Sequence, residues 1–250
     1  MTQVAISGHV FDIDMIAFDK DGTLIELDIW SQLFEQWGKL LQARLSLSDS
    51  VLHKIYTDFG YDAKNQRLLP DTPASVSSVE QSNAILSFLL YQQGIGWTAA
   101  ETAIKETGAQ LQIPEISPSN IRFIGDVPEA LQRLREAGLK IGVITSDNRS
   151  MTERMLHVLD IEHLVDVVVC GDDPIPMKPA PDGLLHMSEV MDIPPERILM
   201  VGDSNGDMQC GRAAGVAGCV RIDDPHTGAE GEDALVDVRI QSVEEIRLLV

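Results

Sequence analysis

Met15-Ile16-Ala17-Phe18-Asp19-Lys20-Asp21-Gly22-Thr23-Leu24 runs from four apolar residues straight into two carboxylates spaced two apart, then a glycine and a threonine. The apolar run has the length of a buried strand, and the residues behind it favour a turn. Gly22 permits a tight turn, and Thr23 places a hydroxyl beside it. In an open α/β sheet, ligands bind at the carboxyl ends of strands. Asp19 and Asp21 are therefore read as the outline of a reaction centre.

A second pair of carboxylates stands further along. Ile198-Leu199-Met200-Val201 is again a short apolar run, and Gly202-Asp203-Ser204-Asn205-Gly206-Asp207 follows it. Acidic groups gathered in one site repel, and at least one is driven to keep its proton unless something offsets the charge. Clustered carboxylate oxygens suit a hard cation, and Mg²⁺ takes one or two carboxylates together with waters and a substrate phosphate. Between the two pairs, Ile141-Gly142-Val143-Ile144 ends in Thr145-Ser146, and Met177-Lys178-Pro179 sets a lysine behind a loop rich in proline.

In this order the four segments resemble the haloacid dehalogenase superfamily, in its phosphatase branch and nearest the phosphoglycolate-phosphatase-like enzymes. Asp-x-Asp-Gly-Thr is Asp19 to Thr23, the apolar strand ending in Thr or Ser is the one before Thr145, the lysine is Lys178, and Gly-Asp-Ser-x-x-Asp is Gly202 to Asp207. The resemblance implies that Asp19 attacks phosphorus and forms an aspartyl-phosphate. Asp21 would protonate the leaving alcohol and then activate water. Mg²⁺ would be held by Asp19, the Asp21 carbonyl and Asp203, with Asp207 bound directly or through water. Thr145, the Ser146 amide and Lys178 would bind the phosphoryl oxygens, with Gly22 and Thr23 beside them. Four aspartates at −4, Lys178 at +1 and Mg²⁺ at +2 sum to −1, and a proton on Asp21 brings the count to zero. Several of these positions also have plain structural readings. Thr145 and Ser146 suit caps of a helix starting near Arg149, Lys178 suits a solvated surface, and Asp207 suits a helix N-terminus.

From about Asp28 to Pro118 strand-like runs give way to helical spacing. Trp30, Leu33, Phe34, Trp37, Leu40 and Leu41 recur at three and four residues, and Ala84, Ile85, Phe88, Leu89, Ala99, Ala103, Ile104 and Leu111 extend the pattern. Pro70-Asp71-Thr72-Pro73 and Gly94-Ile95-Gly96 interrupt it, and Ile113 to Pro118 reads as a return linker. Beyond, helix and strand alternate: Val127 to Ala137, Ile141 to Ile144, Arg154 to Leu159, Val167 to Val169, Gly183 to Met191 and Ile198 to Val201. Such alternation predicts an α/β fold with a parallel sheet covered on both faces. The resemblance makes this a Rossmann-like, doubly wound core of residues 1–27 and 121–250, with a helical cap, 28–120, inserted after the first motif.

Among 250 residues, 39 acidic against 19 basic give a net charge of −20, which argues against nucleic acid or an anionic membrane as partner. A small phosphorylated metabolite is the expected partner. Cys170, Cys210 and Cys219 form no Cys-x-x-Cys, which suits buried free thiols in a reducing compartment. No apolar stretch approaches the ~20 residues of a membrane helix, and no basic n-region stands at the start, so a cytoplasmic protein is expected.

The expected activity is Mg²⁺-dependent hydrolysis of a small phosphomonoester such as phosphoglycolate or a sugar phosphate. A phosphomutase of the β-phosphoglucomutase type keeps the same aspartates and stays open. Gly202-Asp203-Ser204-Asn205-Gly206 also fits a serine-hydrolase elbow, with Asp223, Asp224 and His226 behind it, but that reading leaves Asp19, Asp21 and Lys178 without a role. A non-catalytic binding module is the third alternative, and it has no use for Asp21 in particular. Asp21 separates the chain from dehalogenases, whose leaving halide needs no proton.

Overall fold

A hairpin, β1 (Thr2–Ile6) and β2 (His9–Ile13), leads into β3, the Met15–Phe18 run. The computed structural model describes residues 2–69, 71–111, 121–223 and 233–249. All four residues of β3 are fully buried, as a strand covered on both faces requires. It pairs in parallel with β6 (Lys140–Ile144) on one side and β8 (Ile198–Gly202) on the other. β7 (Val167–Val169) extends the sheet beyond β6, and β9 (Gly218–Ile222) and β10 (Val238–Ile240) extend it beyond β8. The order β10-β9-β8-β3-β6-β7 means that the chain builds outward from β3 through β6 and β7, then crosses back to β8. The reversal opens a crevice at the carboxyl ends of β3 and β8, the usual ligand position in doubly wound sheets. This is the predicted α/β fold.

Four helices follow the alternation: α6 (Val127–Glu136), α7 (Arg149–Val158), α8 (Asp182–Met191) and α9 (Asn205–Ala214). Asp126, Asn148 and Ser204 cap the first, second and fourth by accepting backbone N–H groups. Met15, Ala17, Ile144, Leu184, Met187, Met200 and Met208 pack into one cluster, so strand and helix positions far apart in sequence share a core. Each fully buried leucine, isoleucine or methionine among them contributes about 1.5–3 kcal/mol. Cys170, Cys210 and Cys219 are buried and unbridged, and burial pushes their thiols up to about 11, 12 and 11, which leaves them unreactive.

The hairpin strands join β11 (Arg247–Leu248) in a separate antiparallel sheet, β11-β1-β2, that the sequence pattern did not anticipate. These strands bury only part of one face, with Val4 and Ile6 inside, and show no apolar run.

The chain divides into two compact units, Met1–Glu26 with Ser117–Val250, and Leu27–Ile116. In the first, the Glu26 N–H donates to the Arg122 carbonyl at 2.9 Å, so the strand-end loop and the chain resuming after the insert lie side by side. The second unit holds α1 (Asp28–Leu45), α2 (Asp49–Phe59), β4 (Tyr61–Asp62), β5 (Arg67–Leu68), α3 (Pro73–Val76), α4 (Val79–Gln92) and α5 (Trp97–Gln110). Its core gathers Trp37, Leu41, Ile55, Phe59, Leu86, Leu90, Ala103 and Ile104. Phe34 adds ring contacts to Trp37, Tyr56, Phe59 and Tyr61 at 5.0–5.4 Å between centroids.

The insert departs from a purely helical reading in two ways. β4 and β5 form a ribbon whose turn is closed by Asp62 Oδ1 accepting the Lys64 and Asn65 N–H groups, and strands of two residues carry no periodic signal. On α4 the buried stripe is Leu86, Leu89 and Leu90, while Phe88 is 48% exposed. The predicted breaker Pro70 and the linker residues Ile113 to Pro118 lie outside the described residues.

Candidate active site

Asp19 is the first residue beyond β3, and its N–H still donates to Val201 of β8 at 2.8 Å. The chain then turns: the Leu24 and Ile25 N–H groups donate to the Lys20 carbonyl at 2.9 and 3.1 Å. Gly22 stands in the turn with φ +80°, and a Cβ there would lie 2.3 Å from Asp203 Oδ2. Only glycine satisfies both the backbone angle and the close approach of Asp203. Thr23 is fully buried, with its hydroxyl lacking a hydrogen-bond partner among the described residues.

The loop after β8 brings in the second pair. Ser204 caps α9, and Asp207 closes a capping box with it: Asp207 Oδ2 accepts the Ser204 N–H at 2.9 Å and its hydroxyl at 2.6 Å, while the Asp207 N–H donates back at 3.2 Å. Asp207 is thus the helix N-terminal carboxylate of the plain structural reading. It is also more, because its Oδ1 accepts Lys178 Nζ at 2.6 Å. The same Nζ donates to Asp19 Oδ1 at 2.5 Å and to the Ile144 carbonyl at 3.1 Å. With its side chain 8% exposed, Lys178 is not a solvated surface residue but a tie between three strand ends.

Oxygens of Asp19, Asp203 and Asp207 lie within 4.8 Å of one another. One ammonium among three carboxylates leaves an excess of negative charge. Burial, opposed by Lys178 and reinforced by Asp207 and Asp21, pushes Asp19 up to about 7. Burial, then Asp19 and Asp207, raises Asp203 well above the usual carboxylate range. Burial works against the Lys178 charge, but Asp19 and Asp207 outweigh it and hold the ammonium well above its ordinary value. An all-oxygen donor set, a local surplus of negative charge and a turn kept open by Gly22 fit a hard divalent cation. Asp19, Asp203 and Asp207 would hold it.

Thr145, the first residue beyond β6, is buried; its N–H donates to Val169 and its Oγ1 accepts the Asp147 N–H at 3.1 Å, leaving its own proton to donate elsewhere. Ser146 lies beside it, half-buried. Neither caps α7, which starts from Asn148, whose Oδ1 accepts the Met151 N–H at 2.9 Å. Ser204 Oγ is committed to the capping box, and Asp223 pairs with Arg239 at 2.6 Å; Asp224 and His226 lie outside the described residues.

Sequence reasoning missed three charged residues, Lys20, Asp147 and Arg221. Lys20 is only 1% exposed, and its Nζ lies 2.6 Å from Asp21 Oδ2 and 3.4 Å from Asp147 Oδ2. Burial opposes its charge, but Asp21 and Asp147 raise it above the ordinary lysine value; burial, countered by Lys20, raises Asp147. The available signal was a lysine directly behind an apolar strand, where solvent is scarce. The charges of Lys20 and Asp147 cancel, so the count of −1 with a divalent cation stands. Arg221 is also buried. It lies beside Gly202 in the β8–β9 register and donates to Asn205 Oδ1 at 2.7 Å, bracing the loop that carries Asp203.

Known proteins resemble this chain in sequence or in fold. Phosphoglycolate phosphatase of Escherichia coli is 37% identical over 101 residues, 40% of this chain and 40% of that protein, so the chain spans about two fifths of the relative's length. A pyrophosphatase of Bacillus thuringiensis is 27% identical over 187 residues, covering 73% of this chain and 78% of that protein. A solved hydrolase of the haloacid dehalogenase superfamily from Geobacter sulfurreducens superposes with TM-score 0.63 at 20% identity, over 94% of this chain and 95% of that one, a likeness of fold. The profile of the haloacid dehalogenase-like hydrolases matches residues 13–215, and the chain belongs to that family.

Proposed function

We propose that the protein is a Mg²⁺-dependent phosphatase that hydrolyses a small phosphomonoester, of the phosphoglycolate or sugar phosphate kind, through an aspartyl-phosphate on Asp19. The observation that carries this reading is the convergence of Asp19, Asp203, Asp207 and Lys178 at the switch point of the sheet. Bound among those carboxylates, Mg²⁺ supplies positive charge that offsets them and the substrate's phosphoryl oxygens. Asp19 is the nucleophile, held by Lys178 at 2.5 Å. Both Asp207 oxygens are already engaged, by Lys178 and by Ser204, which favours a water-mediated role for it at the cation over a direct one. The Thr145 hydroxyl, the Ser146 N–H and Lys178 receive the phosphoryl oxygens. Asp21, two residues beyond the nucleophile, gives a proton to the departing alkoxide and takes one from the attacking water. The helical insert, residues 28–120, is taken as a cap that selects the substrate.

The test is phosphate release across a panel of small phosphomonoesters, with Mg²⁺ and with chelator. Metal-dependent release supports the reading, and full activity in metal-free protein contradicts it. Supplying a hexose 1-phosphate with a trace of the bisphosphate separates the mutase, since fast isomerisation with negligible inorganic phosphate would replace phosphatase by mutase.

A further inference from the structure

We propose that Lys20 is a positioning residue for Asp21, held in turn by Asp147, so that one buried lysine clamps the proton-transfer carboxylate to the loop after β6. The inference rests on the phosphatase reading and assigns a residue that the reading does not use. Lys20 Nζ lies 2.6 Å from Asp21 Oδ2 and 3.4 Å from Asp147 Oδ2, and it donates to Met155 Sδ at 3.4 Å. Asp147 is itself fixed: its N–H donates to Thr145 Oγ1 at 3.1 Å, its Oδ1 accepts the Asn148 N–H at 2.7 Å, and its carbonyl accepts the Gly171 N–H at 2.7 Å. The clamp therefore joins the strand-end loop of β3 to the one of β6.

Stability alone does not account for a lysine at this position. An apolar side chain of the same length would fill the space behind β3 without desolvating an ammonium, and replacing buried ion pairs by apolar groups is commonly neutral or stabilising. What an apolar residue cannot do is fix the orientation of the neighbouring carboxylate. Asp21 has to serve two proton transfers from one place, the first to the leaving oxygen and the second from water. A carboxylate free to rotate serves both poorly.

The leaving group tests this. An alkyl alkoxide needs the proton that Asp21 gives, whereas p-nitrophenolate departs without it. The measurement is kcat/KM with Mg²⁺ for glycerol phosphate and for p-nitrophenyl phosphate. Lys20→Met is expected to lose about 100-fold on glycerol phosphate and less than about threefold on p-nitrophenyl phosphate. Asp147→Asn, which keeps the lysine and the side-chain volume, should show the same selectivity to a smaller extent, and it carries the test if Lys20→Met does not fold. Equal losses on both substrates, or no loss on either, overturn the clamp while wild-type turnover leaves the phosphatase reading standing. A wild type inactive across the phosphomonoester panel overturns both.

Discussion

The two buried lysines at the end of β3 contrast in what they join. Lys178 reaches in from a loop 159 residues downstream and binds Asp19 and Asp207, carboxylates gathered in the trio with Asp203. Lys20 comes from the motif itself and binds Asp21 and Asp147, two carboxylates against one ammonium. Three carboxylates with Lys178 leave the trio two charges short, which a divalent cation supplies; Lys20 with its two carboxylates is one charge short, which a proton on Asp21 supplies. A reaction that needs a cation at the nucleophile and a well-placed proton donor beside it calls for this asymmetry.

The contrast is open to attack by mutation. Removing the nucleophile should have the largest effect: Asp19→Asn is expected to lower phosphate release about 1,000-fold or more on every substrate. Lys178→Met should cost about 100- to 1,000-fold, equally on alkyl and p-nitrophenyl phosphates, because it serves phosphorus and not the leaving group. If its losses followed leaving-group basicity as those of Lys20→Met should, the two lysines would serve the same step.

Gly22→Ala sharpens the picture of the carboxylate trio. A Cβ lying 2.3 Å from Asp203 Oδ2, on a backbone at φ +80°, must displace one or the other. A loss of about 1–3 kcal/mol in unfolding free energy is expected, with weakened Mg²⁺ binding by calorimetry.

The surplus charge should also appear as pH dependence. Asp19 titrates near 7 in the cation-free fold against 3.8 for an ordinary aspartate. Between those values the unfolded chain has released a proton that the native state keeps, so stability falls as pH rises through the window. Asp203 acts with the same sign. Chelator-treated protein should melt lower at about pH 8 than at about pH 5, and Mg²⁺ should restore more at the higher pH. A flat profile without metal would remove the electrostatic argument for the trio. The smallest effect expected is that of Ser204→Ala, about 1 kcal/mol from the lost cap of α9, with a modest fall in turnover through Asp207.

Much of the site was legible because each motif is local. Asp19, Asp21, Thr145, Asp203 and Asp207 follow short apolar runs, and the strand ends at β3, β6 and β8 lie where those runs stop. Lys20 was not legible as a partner of Asp21. Adjacency in sequence gives Lys20 no role of its own beside the catalytic acid, and only the packing around β3 makes the ammonium dry. The ribbon β4–β5 and the sheet β11-β1-β2 escaped for another reason: strands of two to five residues, buried on one face at most, leave no periodic trace.

Sequence by itself determined where the chain turns from apolar to acidic, which residues carry carboxylates, and that helix and strand alternate around an insert. These are properties of neighbours within a few residues, and periodicity and composition record them. Tertiary structure alone decided that β3 lies between β6 and β8, that Lys178 reaches both Asp19 and Asp207, and that Lys20 finds Asp147. Strand order brings together groups more than a hundred residues apart, and burial strips the water that would otherwise screen their charges. The same aspartates and lysines, spread along an extended chain, would titrate as ordinary ones.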